Sequence, residues 1–253
     1  MANWTREQTI IALSVYCRIP FNRASNTNPE IVAAANLIGR SPTAVKMKVG
    51  NFGSFDPDLR ARGIVGLANS SKLDEEIWNE YCNDWEQLAY DSERIRARLA
   101  NKTLEEISET DLTNMPVGCE RETMIKRRIN QSFFRTAVLT SYNNRCCITG
   151  LSSKELLEAS HIVDWSKDIE NRLNPSNGLC LNVLFHRAYD ENLIGITPDY
   201  KIVISNRLFD EYSEPLQIKS FFIHYHNESI HLPDRFLPNR ELLDIHYQRF
   251  VNQ

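Results

Sequence analysis

Three residues, His161, Asn177 and His186, and the segments that hold them constrain this chain most. His161 follows Leu157-Glu158-Ala159-Ser160 in a short apolar run with β character that continues into Ile162 and Val163. Asn177 lies in a stretch of turn formers, Asn174-Pro175-Ser176-Asn177-Gly178. A second apolar run, Leu179 to Phe185, leads into a helix-compatible segment at His186. The expected order is therefore strand, turn-rich loop, strand, helix.

The text around these residues resembles the HNH endonuclease family, and the resemblance implies phosphodiester hydrolysis. The reaction needs an activated water, charge neutralisation at the phosphate and rigid placement. A neutral His can take a proton near working pH. Hard oxygen and nitrogen ligands can hold a divalent ion. The stretches Leu157–Ser166, Asn174–Leu181 and His186–Asp190, with Tyr142–Gly150 before them, resemble the HNH endonuclease family in its restriction-type branch. The resemblance covers about residues 130 to 205 and implies a β-hairpin and one helix around a single metal ion, Mg²⁺ with Mn²⁺ as the alternative. By position, His161 would be the general base, Asn177 would fix the loop that orients it, and His186 would bind the metal.

Two departures from the family pattern matter. Many members carry a metal-binding Asp just before the catalytic His; here Ser160 stands there and offers a neutral oxygen. Glu158 shares a strand face with Ser160, and Asp190 shares a helical face with His186, so either carboxylate could complete the ligand set. The paired Cys-x-x-Cys motifs that hold a structural zinc in many relatives are also missing around Cys146, Cys147 and Cys180. No structural zinc is expected, and a core of Leu156, Ile162, Leu179, Leu181 and Leu184 is expected to hold the hairpin instead.

The rest of the chain reads as an α+β protein. A helical, helix-turn-helix-like domain is expected over residues 1–90, a linker over 91–118 and the nuclease domain over 119–253. Thr5 caps a first helix that Pro20 stops; Asn28-Pro29 and Ser41-Pro42 open two more around the Gly39 corner. A third-fourth spacing of Ile77, Trp78, Tyr81, Trp85 and Leu88 predicts an acidic helix over 73–88, and Glu120 to Tyr142 reads as a long basic one. Short β-prone runs follow at 201–204 and 220–223, then a closing helix at 240–250.

The net charge is −4, so nucleic-acid contacts must come from local patches. Residues 1–63 carry eight Lys/Arg against four Asp/Glu. Arg40, Thr43, Lys46 and Lys48 around the corner, and Arg145 and Arg187 around the His–Asn–His unit, are the candidate DNA contacts. No apolar run suggests a membrane span, the N-terminus lacks the layout of a secretion signal, and the scattered cysteines fit a reducing cytoplasm. The resemblance and the corner together imply cleavage of double-stranded DNA in restriction or other defence. One site cuts one strand, so double-strand cleavage calls for a homodimer or two successive nicks. Ser160 keeps an inactive DNA-binding regulator open as an alternative, and a nuclease directed at RNA or gated by a ligand ranks below it because the corner points to duplex DNA.

Overall fold

In the computed structural model, residues 3–64, 66–67, 69–110, 120–210 and 216–253 are described, and they divide into two compact units, Met1–Ser141 and Tyr142–Gln253. The first unit holds eight described helices: α1 (Arg6–Arg18), α2 (Pro29–Ile38), α3 (Pro42–Phe52), α4 (Pro57–Ala61), α5 (Lys72–Tyr81), α6 (Trp85–Ala100), α7 (Leu104–Ser108) and α8 (Arg121–Ser141). The caps are those expected from the sequence. Thr5 forms a capping box with Gln8, while Asn28 and Ser41 accept backbone N–H bonds ahead of Pro29 and Pro42. Gly39 closes α2 at φ 66°, a left-handed conformation that glycine adopts without penalty. It sets the corner between α2 and α3.

Three expectations need correction. The acidic helix expected over 73–88 is two helices, α5 and α6, because Asp84 caps a new start through Gln87 N. The expected linker begins inside α6 and includes α7; residues 111–119 of it lie outside the described residues. The basic helix α8 belongs to the first unit, so the division falls after Ser141. Acids of the preceding helices pair with it: Glu86 meets Lys126 at 2.9 Å, and Glu105 meets Arg121.

Lys48 is the fourth correction. Only 5% exposed, it donates to Asp74 at 2.5 Å and lies over the Trp4 ring, so it presents no charge to a phosphate. Asp74 also caps α5 through Ser71 N and accepts from Asn51. Truncating Asp74 strands a buried ammonium. Asp74→Ala is expected to cost about 3–5 kcal/mol in urea unfolding, and Lys48→Met distinctly less, because it leaves no uncompensated cation.

The second unit contains the hairpin β1 (Leu157–His161) and β2 (Gly178–Asn182), the helix α9 (Val183–Asp190), a second hairpin β3 (Ile194–Ile196) and β4 (Ile202–Ile204), then α10 (Arg207–Asp210), α11 (Leu216–Ile223) and α12 (Arg240–Val251). β1 and β2 are antiparallel, with Leu157 opposite Asn182 and His161 opposite Gly178. Ile162, Leu179, Cys180 and Leu181 are buried, but Leu156 and Leu184 are exposed. Leu156 precedes the strand in a 3₁₀ turn, and Leu184 lies off the face that α9 buries through Phe185, Ala188 and Tyr189. The run 220–223, expected as strand, is helical. It has no strand partner, and the helix brings Phe222 to 5.4 Å from Phe185. α12 packs against β3 so closely that a side chain at Gly195 would meet the Phe250 ring at 2.8 Å.

His246 of α12 stacks on Tyr189 of α9 at 3.7 Å between centroids, and its Nε2 donates to the Tyr189 carbonyl at 3.2 Å. Burial first, and then the charge of Arg249, push its pKa from 6.5 down to about 4. A depressed His pKa means that the unfolded chain binds the proton more tightly. The unit's stability is then full above pH 6.5 and falls as pH drops toward about 4. The loss should be on the order of 3 kcal/mol in denaturant unfolding at the two extremes. In His246→Gln this pH dependence should largely vanish.

Candidate active site

Asn182 makes the strand-to-helix switch. It ends β2, its Oδ1 accepts from Phe185 N at 2.9 Å to cap α9, and its Nδ2 donates to Thr149 at 3.2 Å. His186 thus falls in the first turn of α9, with Asp190 one turn on. Glu158 and Ser160 point to one face of β1 because successive strand residues alternate. The Glu158 carboxylate meets His186 Nδ1, and the Asp190 carboxylate lies 3.4 Å from Nε2. All three side chains remain partly open to solvent. Ser160 is fully buried, and among the described residues its hydroxyl has no hydrogen-bond partner.

His161 ends the strand. Its Nε2 lies 3.0 Å from the Arg172 carbonyl, and its ring stands edge-on to Trp165 at 5.7 Å. A carbonyl can only accept, so Nε2 carries the proton and the neutral ring has its lone pair on Nδ1. Burial holds the His161 pKa below its ordinary 6.5, against the opposing pull of the Arg172 carbonyl and Asp164. The ring is therefore neutral near pH 7, as a base must be.

Asn177 is fully buried inside the loop that joins the strands. Its Oδ1 accepts from Val163 N at 2.8 Å, while its Nδ2 donates to the carbonyls of Val163 (3.0 Å) and Asn171 (3.2 Å). Its own carbonyl accepts from Ile162 N at 2.9 Å. The backbone just after His161 is thus gripped on both sides. The loop beneath is stitched by side chains at three-residue intervals. Asp168 accepts from Asn171 at 3.0 and 2.8 Å, and Asn171 Oδ1 accepts from Asn174 at 3.1 Å. Sequence reasoning missed Asp168, Asn171, Asn174 and the Arg172 carbonyl. The regular Asp/Asn spacing up to Asn177 was the available signal.

Among the described residues, no group of three His, Cys, Asp or Glu side chains converges as a ready metal site. The donor chemistry nonetheless fits a hard divalent ion: two carboxylates and an imidazole, beside a hydroxyl without a partner. An ion on one ring nitrogen of His186 would displace one carboxylate contact. The other carboxylate would remain to orient the ring, as carboxylates commonly do behind metal-bound His.

The proposed DNA contacts fall in both units. In the first, Thr43 and Lys46 are exposed on α3, whereas Arg40 is turned inward onto Gln8 Oε1 (2.9 Å) and the Asn3 carbonyl (2.6 Å). In the second, exposed Arg145 donates to the Gly150 carbonyl at 3.3 Å, and exposed Arg187 pairs with Glu191 at 2.5 Å. Such exposed pairs are weak enough for a phosphate to replace the partner. Among the described residues, no helix is long and apolar enough to cross a membrane.

No curated protein matches the chain as a relative. Residues 146–197, which contain β1, the stitched loop, β2, α9 and β3, match the family model described as HNH endonuclease.

Proposed function

We propose that the protein is a metal-dependent endonuclease that hydrolyses phosphodiester bonds of double-stranded DNA, in restriction or other defence against foreign DNA. One observation carries this reading. His161 is held through Nε2 on the Arg172 carbonyl, its pKa is lowered by burial and by the charge of nearby His186, and the same strand presents Glu158 to His186. His161 takes the proton of the attacking water at Nδ1. The water oxygen bonds to phosphorus as the P–O3′ bond breaks, and the departing 3′ oxygen takes a proton from solvent, leaving a 5′-phosphate and a 3′-hydroxyl. Asn177 holds the backbone beside His161, so the base does not drift from the attack line. His186, with Glu158, Asp190 and the Ser160 hydroxyl, would hold a divalent ion such as Mg²⁺ or Mn²⁺. When bound, that ion supplies charge neutralisation at the scissile phosphate and leaving oxygen. Thr43, Lys46, Arg145 and Arg187 would contact the DNA backbone, and cleavage of both strands would use two copies of the chain or two nicks.

One observation favours a second reading, that of a DNA-binding regulator: both ring nitrogens of His186 already face carboxylates. Supercoiled plasmid incubated with the protein and Mg²⁺ or Mn²⁺ separates the two. Nicked and then linear DNA is expected, abolished by chelator and unaffected by excess structured RNA. Plasmid that stays supercoiled with every metal would support the regulator, and suppression by RNA would point to an RNA substrate.

A further inference from the structure

The closing helix α12 lies beyond the matched segment 146–197, yet it touches both ends of the loop that joins β1 and β2, and α9 as well. At its start, the backbone N–H of its cap Asn239 donates to the Ser176 carbonyl at 2.9 Å, next to Asn177. At its middle, His246 stacks on Tyr189 of α9 and donates to that residue's carbonyl, three residues past His186. Near its end, Arg249 Nη1 donates to Asp164 Oδ2 at 3.2 Å, three residues past His161. The three contacts follow the helix from one end to the other: two meet opposite ends of the loop between β1 and β2, and one meets α9.

We propose that α12 is a clamp on the active site and that Arg249 is a positioning residue for the loop bearing His161. Asp164 is the point of attachment. Its carbonyl accepts from Lys167 N at 2.9 Å and Asp168 N at 3.3 Å, so it opens the turn that leads into the stitched loop. Its carboxylate is shared by Lys167 and Arg249. Lys167 is local and exposed, and it binds the turn only to itself. Arg249 is the cation that reaches this carboxylate from another element. Its guanidinium is drawn in from solvent far enough that Nε and Nη2 are buried with no hydrogen-bond partner among the described residues. Burying guanidinium nitrogens unpaired is costly, so the contact that compensates is the one to Asp164. Asn177 grips the loop from inside at Val163, and Arg249 grips it from outside one residue later. With both in place, the His161 ring is held on a segment fixed at two consecutive residues.

This inference rests on the nuclease reading for its kinetic consequence but not for its structural one, and the test separates them. In the full-length protein, Arg249→Met is expected to lower kcat for plasmid nicking by about tenfold while KM stays within about twofold, since the loss is of placement and not of DNA affinity. Arg249→Lys, which keeps the charge but not the planar fork, should recover part of that loss. Amide hydrogen exchange should rise across residues 162–168 in Arg249→Met. Should Arg249→Met fail to fold, Arg249→Lys carries the test, with a smaller kcat loss and a smaller rise in exchange expected. Wild-type kcat and unchanged exchange in the folded variants would overturn the clamp. If the wild-type protein cuts no DNA with any metal, the nuclease reading fails, and exchange at 162–168 alone then decides whether Arg249 positions the loop.

Discussion

His161→Ala is expected to lower the single-turnover rate of DNA cleavage by about 10³-fold, the usual worth of a well-placed general base. The fold should survive the change. The side chain lies at the end of β1, and its contacts to the Arg172 carbonyl and Trp165 are at the rim of the loop. Thermal unfolding should therefore shift by no more than an ordinary partly exposed substitution would cause, about 1 kcal/mol. Loss of activity with retention of fold distinguishes a chemical role from a structural one. A variant that cuts at the wild-type rate would remove His161 from the mechanism.

Asn177→Ala should do the reverse and damage both fold and rate. The side chain makes two buried hydrogen bonds and a third that is part-buried, and its loss leaves the N–H and carbonyl of Val163 without these partners away from water. Unsatisfied groups of this kind cost about 1–3 kcal/mol each, and partial relaxation brings the expected total to about 3 kcal/mol. The released backbone lies beside His161, so cleavage should fall by about 10²-fold as well. Asn177→Asp should not rescue either property. A carboxylate still accepts from Val163 N, but it cannot donate to two carbonyls and repels them. Thermal unfolding and kcat measured on both variants check this.

The parts of the molecule that were legible in the sequence are those specified locally. Caps at Thr5, Asn28 and Ser41 are written in neighbouring residues, and so is the order of hairpin and helix around His161 and His186. What the sequence hid depends on partners distant in the chain. Lys48 reads as a surface cation until Asp74 folds over it. The run Phe221-Phe222-Ile223 has strand propensity, but Phe185 offers it an aromatic contact that a helix satisfies. Leu184 fits an apolar pattern, yet the burial of Phe185 and Tyr189 turns it outward. The same holds at the site. The placement of His161 on a strand, Asn177 in the loop and His186 on a helix was readable from their local text, and the pairing of Glu158 and Asp190 with His186 follows from strand and helix periodicity. Arg249 was not readable, because nothing near it in sequence points to Asp164.

The pH dependence of kcat/KM for DNA cleavage, measured with wild-type protein and His161→Ala side by side, tests the central claim most directly. The base must be neutral to act, and burial holds its pKa below 6.5. The wild-type acid limb should therefore have its midpoint below that value, with the rate rising as pH increases through it, and the residual activity of His161→Ala should lack that limb. An unchanged limb in the variant, or a wild-type midpoint well above 6.5, would contradict the assignment of His161 as the partly buried, neutral base.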